Sequence, residues 1–111
     1  METKPNQVEI YQTPEGQSPF VDWIDSLKDL KTVNIVQKRL GFLRQGNMGD
    51  FKFFEGIYEL RIDYGPGYRI YCGKKDKTFV LLLFGGSKAS QRKDIEKATK
   101  YWEDFQKRSA P

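Results

Sequence analysis

The hydrophobic positions change their period near Asp50. Ahead of it Val33, Val36, Leu40 and Leu43 recur at helical spacing, and the breaker cluster RQGNMGD closes the run. Just upstream, SPFVDWIDSL opens another helix, with Ser18 as N-cap and Pro19 at the first helical position, where its missing N–H is harmless. The two helices are expected to form an antiparallel hairpin. VEIYQT, from Val8 to Thr13, alternates and stops at Pro14 and Gly16, as an edge strand does.

Beyond Asp50 the period is two, with runs at Phe51 to Phe54, Tyr58 to Asp63, Tyr68 to Gly73 and Thr78 to Phe84. Short turns separate them, which predicts an antiparallel meander. TFVLLLFGG is continuously apolar, as expected of a strand covered on both faces in the middle of a sheet. From Ser90 a last helix carries Ile95, Ala98, Trp102 and Phe105 on one face and Arg92, Lys93, Lys97 and Lys100 largely elsewhere. The element order implies an α+β fold: a mainly antiparallel sheet with an N-terminal helical hairpin and a C-terminal helix. Trp23 and Trp102 are expected in the core.

A length of 111 residues predicts one domain, residues 1–111, with a single shared core. A lone cysteine, Cys72, and an opening METKPNQVEI without a signal-peptide pattern fit a cytoplasmic protein. The apolar run from Phe79 to Phe84 is far shorter than the ~20 residues of a membrane helix, so no membrane is expected. The absence of histidine removes histidine-activated serine or cysteine nucleophiles and the common zinc spacings. No metal or cofactor is implied. What remains for chemistry is lysine, arginine, tyrosine, carboxylates and backbone amides.

The net charge of +4 is unevenly distributed. Residues 1–50 hold six Lys+Arg against seven Asp+Glu, and residues 51–111 hold thirteen against eight, giving −1 and +5. That bias suits a polyanionic partner or an acidic protein segment, and equally a solvated surface.

Within the basic half, YELRIDYGPGYRIYC folds about Gly-Pro-Gly with one arginine on each leg. Alternation puts Leu60 and Ile62 on one face and Glu59, Arg61 and Asp63 on the other. If Leu60 pairs with Ile70, then Arg61 pairs with Arg69, and any other register that keeps the apolar sets together leaves both arginines on one face. Like charges directly across a strand pair cost a few tenths to ~1 kcal/mol. Two readings fit. Glu59 and Asp63 complete a solvated charge ladder, or the arginines clamp a phosphate with two planar forks.

GGSKASQRKDI adds Lys88, beside Ser87 in a Gly-flanked turn at the start of the last helix, where Arg92 and Lys93 follow. Helix N-termini bind anions, and cations there are poorly matched to the helix dipole, so these residues suit a ligand as well as open solvent. Tyr71 shares the arginine face and is the candidate for stacking on an unpaired base. Tyr64, in the turn, is a second candidate, and Lys52 on the preceding strand could extend the basic face. Tyr58 and Tyr68 share parity with the apolar set.

From opening strand to last helix the chain resembles the RelE/ParE superfamily of toxins from bacterial toxin–antitoxin modules, particularly its HigB-like addiction module killer branch. The resemblance is carried by RQGNMGDFKFFEGIYELRIDYGPGYRIY and LLLFGGSKASQRKDIEKA, in that order. It implies a RelE-like compact sheet flanked by helices and a ribosome-dependent endoribonuclease that cuts mRNA. It also implies a neighbouring antitoxin, often a helix-turn-helix DNA-binding protein, that covers or distorts the site. Arg61 and Arg69 match the branch's strand arginines, implied to bind phosphate and stabilise transition-state charge. Lys88 matches the lysine after the last strand, implied in phosphate contact or proton transfer. The chain departs from RelE in its long last helix, which replaces a short tail with a terminal tyrosine, and in lacking a dense lysine pair on the second strand. The resemblance also admits a ParE-like gyrase inhibitor, and the basic surface admits a non-catalytic module that only binds RNA or antitoxin.

Overall fold

The computed structural model describes residues 4–109. Its elements run β1 (Gln7–Ile10), α1 (Pro19–Ser26), α2 (Leu30–Arg44), β2 (Phe51–Phe54), β3 (Ile57–Ile62), β4 (Tyr68–Lys74), β5 (Phe79–Ser87) and, after a 3₁₀ turn at Lys88–Ser90, α3 (Gln91–Ser109). The five strands form one sheet in the order β1-β5-β4-β3-β2. β2 through β5 are the expected antiparallel meander. β1, however, joins β5 in parallel and makes the sheet mixed. The edge position of β1 follows from its alternation, whereas its direction depends on how the two helices return the chain, which local pattern does not encode.

The sheet divides the expected single core into two apolar layers. On one face Phe20 of α1 and Val36, Leu40 and Leu43 of α2 pack with Leu60, Ile62, Ile70, Cys72, Val80 and Leu82. On the other, Ala98 and Trp102 of α3 cover Ile57, Tyr71, Leu81 and Leu83, with Tyr11 at the side. α1 lies on β5 and α2 approaches β1, each helix contacting the sheet more than the other helix. The expected close helical hairpin is therefore replaced by two helices seated separately, because the apolar stripe of each is satisfied by strands.

β5 runs three residues beyond Phe84, through the glycines expected to form a turn. Tyr71 pairs with Phe84 and Cys72 with Leu82, so Leu83 is the extra residue of a bulge. A bulge shifts the alternation by one. Gly85 consequently faces α1 and Gly86 faces α3: a Cβ on Gly85 would collide with the Trp23 ring, and one on Gly86 with the Asp94 carboxylate. Two glycines side by side let one strand be approached closely from both faces, which is how α1 and α3 dock at this end of the sheet.

Gly85→Ala is therefore expected to destabilise the protein by about 1–3 kcal/mol, the usual cost of overpacking a filled site. A urea melt read by tryptophan fluorescence measures it. Unchanged stability would mean that Trp23 is not held against β5.

Candidate anion-binding site

The β3–β4 register pairs Leu60 with Ile70 and Arg61 with Arg69, one of the registers that parity allows, and so puts both arginines on the expected single face. Glu59 pairs with Tyr71 next to them, so these four side chains form one square on the α3 face. Glu59 is fully buried. Its Oε1 accepts a hydrogen bond from Arg61 Nε at 3.2 Å, and its Oε2 accepts one from Gln91 Nε2 at 2.8 Å and lies 3.6 Å from Arg69 Nε. The ladder is thus not solvated: side-chain exposure is 0% for Glu59, 12% for Arg69 and 34% for Arg61. One carboxylate between two guanidinium groups offsets their repulsion. Asp63, the second acid expected to help, is exposed and pairs with neither arginine among the described residues.

Arg61, Arg69 and Lys88 line one open cleft of about 230 Å³ with Asp50, Ile62, Asp63 and Gly67. Lys88 is brought there by its backbone, whose N–H donates to the Gly67 carbonyl at 2.8 Å and so ties the start of the 3₁₀ turn to the Gly-Pro-Gly loop. Gly67 has φ +81°, which glycine adopts without strain, and a Cβ there would come into ordinary contact with Lys88 Cβ and an Arg69 terminal nitrogen. Ser87 and Ser90 form a reciprocal capping box around the turn. The Ser90 hydroxyl also donates to the buried Asp94 carboxylate at 2.5 Å.

The remaining sequence candidates lie elsewhere. Tyr71 has no exposed surface, so no base can stack on it: the arginine face is covered by α3 at this position. Its hydroxyl, unpartnered among the described residues, is pushed well above the ordinary tyrosine range, first by burial and then by the Glu59 and Asp94 carboxylates. Tyr64 is half-buried against the first core, with Lys31 Nζ 5.8 Å from its ring centre. Lys52 is exposed opposite Glu59, with its ammonium 5.3 Å from the Phe54 ring, outside the cleft lining. Arg92 and Lys93 are exposed on the first turn of α3 and also outside the lining.

Three contributors carried little sequence signal. Gln91, inside a motif valued for its lysine, holds Glu59. Asp94 anchors the turn that carries Lys88. Arg39 of α2 donates to the carbonyls of Met48 at 2.5 Å and Asp50 at 3.0 Å, and weakly to that of Arg61 at 3.4 Å. It braces the rim of the cleft from behind, and burial lowers its affinity for a proton below the usual arginine range.

Across 80 residues the chain is 44% identical to an uncharacterized protein of Haemophilus influenzae, a match covering 71% of this chain and 81% of that one. The chain belongs to the same family as that protein. No family model matches it. Among the described residues no helix is long and apolar enough to cross a membrane.

Removing Arg69 leaves Glu59 buried with half its compensation. Arg69→Ala is expected to lower unfolding free energy by about 3–5 kcal/mol, as for broken buried pairs, against about 0–1 kcal/mol for the exposed Lys88→Ala. Chemical denaturation of both variants checks the contrast.

Alkaline pH is expected to unfold the protein. Burial, then the Asp104 contact, raises Tyr11 to about 12, and Tyr71 shifts upward also. Unfolded tyrosines titrate near ~10, so this stabilisation is complete below pH ~10 and is lost as pH rises toward the folded values. Tyrosinate absorbance should therefore appear together with unfolding; ionisation of all six tyrosines in a still-folded protein would contradict it.

Proposed function

We propose that this chain is a toxin of the RelE/ParE superfamily, HigB-like branch, acting in the cytoplasm as a ribosome-dependent endoribonuclease on mRNA. The observation that supports it most is the convergence of Arg61, Arg69 and Lys88, three separately located cations, on one cleft. All three belong to the motifs that carry the resemblance. A basic cleft on a rigid sheet suits a phosphodiester, whose charge grows in the transition state.

In the proposed reaction the ribose 2'-oxygen attacks the adjacent phosphorus, its proton passing to a base, while the P–O5' bond breaks and the 5'-oxygen takes a proton. The products are a 2',3'-cyclic phosphate and a 5'-hydroxyl. Arg61 and Arg69 hold the non-bridging oxygens and stabilise their increasing charge. Lys88, the exposed member, contacts phosphate and can donate the proton to the leaving oxygen. Glu59 is too enclosed by its partners to serve as the base, which on this reading comes from an exposed cleft group or from the ribosome that orients the RNA. An antitoxin protein would silence the site by covering the same cations.

The test is inducible expression in a bacterial host, with primer extension on a reporter mRNA. The informative variant is Lys88→Ala, because it leaves the Glu59 pairing intact. Translation-dependent cuts in the wild type, reduced ~100-fold or more in Lys88→Ala, are expected. Growth arrest with intact mRNA would replace this reading with gyrase inhibition, and an absence of arrest would leave a binding module.

A further inference from the structure

We propose that Glu59 is a positioning residue that sets how both guanidinium groups meet an anion, an assignment that rests on the phosphate reading of the cleft. An arginine offers one Nε–H and four terminal N–H donors. Glu59 faces the Nε of Arg61 through one oxygen and the Nε of Arg69 through the other. The terminal nitrogens of both arginines have no hydrogen-bond partner among the described residues, and both side chains line the cleft. One buried carboxylate therefore lies at the inner edge of each fork, hydrogen-bonded to Arg61 Nε at 3.2 Å and 3.6 Å from Arg69 Nε, a buried donor with no hydrogen-bond partner among the described residues, and it leaves both outer edges for the ligand.

The alternatives available to these side chains show why this matters. Without an acceptor between them, two arginines facing each other across a strand pair would separate, each free to choose among rotamers. A two-pronged phosphate contact tolerates little misplacement, so a loose fork loses affinity as well as alignment. Gln91 restricts Glu59 in turn, since its amide donates to Oε2 from the first residue of α3. The carboxylate is thus held from the helix side and holds the arginines from the sheet side. Its 0% exposure keeps it from binding ligand or exchanging protons with it, which separates its role from that of Lys88.

Nitrogen-labelled arginine observed by NMR reads this arrangement directly, with inorganic phosphate as the probe ligand. In the wild type the Nε–H signals of Arg61 and Arg69 are expected to exchange slowly with water relative to that of the exposed Arg92. In Glu59→Gln, whose amide keeps the size and one acceptor but puts a donor against a donor, at least one of the two should revert to fast exchange. Phosphate should then bind about tenfold more weakly, the equivalent of one lost charge-assisted contact. Wild-type signals that exchange like Arg92, or a folded Glu59→Gln with both signals and the phosphate affinity unchanged, would overturn the assignment. If Glu59→Gln does not fold, the wild-type exchange rates alone decide. The measurement is independent of RNA cleavage, so a wild type with protected arginines that cuts no mRNA would sink the proposed reaction and leave the positioning role standing.

Discussion

The cleft depends on one desolvated carboxylate. Glu59 has lost its water, and a carboxylate in that position is tolerated because Arg61 and the Gln91 amide hydrogen-bond to it and the Arg69 guanidinium lies 3.6 Å away as a compensating charge. The dependence is mutual. Arg61 and Arg69 can face each other across the strand pair because a negative charge lies between them, and Glu59 can be buried because they do. Neither half is a sensible arrangement alone, so the square of Glu59, Arg61, Arg69 and Tyr71 behaves as one unit of the fold.

That unit sits on a sheet whose two faces are used differently. The α1 and α2 face is apolar from Val80 across to Leu60, and its role is cohesion. The α3 face is apolar only near Leu81, Leu83, Ala98 and Trp102, and becomes polar toward Glu59 and Asp94. The bulge at Leu83 allows both, because it turns Gly85 toward Trp23 and Gly86 toward Asp94. Close docking of α1 and α3 there puts the start of α3 beside the arginine hairpin. A larger residue at Gly85 would lift α1 off the strand, and one at Gly86 would lift the start of α3 and take Ser90 and Gln91 with it.

Much of this was legible in the sequence, and the limit has a physical form. Parity fixes which side chains share a face, so the placement of Arg61, Arg69 and Glu59 on one face follows from alternation alone, while the direct Arg61–Arg69 pairing is one of the registers alternation allows. Parity does not say whether a face is covered. Tyr71 and Glu59 therefore read as exposed partners of the arginines, when α3 lies over both. The unbroken apolar run of β5 hid its bulge for a related reason, since a strand buried on both faces shows no alternation to interrupt. The parallel pairing of β1 and the bracing by Arg39 depend on contacts between distant segments and leave no local trace. The family resemblance pointed to Arg61, Arg69 and Lys88 without indicating what holds them.

What holds them is common to all three. Lys88 is fixed through its backbone to the Gly67 carbonyl in the hairpin loop, and Gln91, one helical turn further on, is fixed to Glu59 beneath the arginines. The 3₁₀ turn and the first residue of α3 thus reach the β3–β4 hairpin at two points. A rigid shift of that helix start would move the lysine and the anchor of both arginines together, preserving their relative geometry, whereas fraying of the turn would release the lysine and loosen the carboxylate at once. The capping box of Ser87 and Ser90 and the bond from Ser90 to Asp94 oppose fraying. Polar side chains with no place in the cleft thereby determine whether its three cations act as one site.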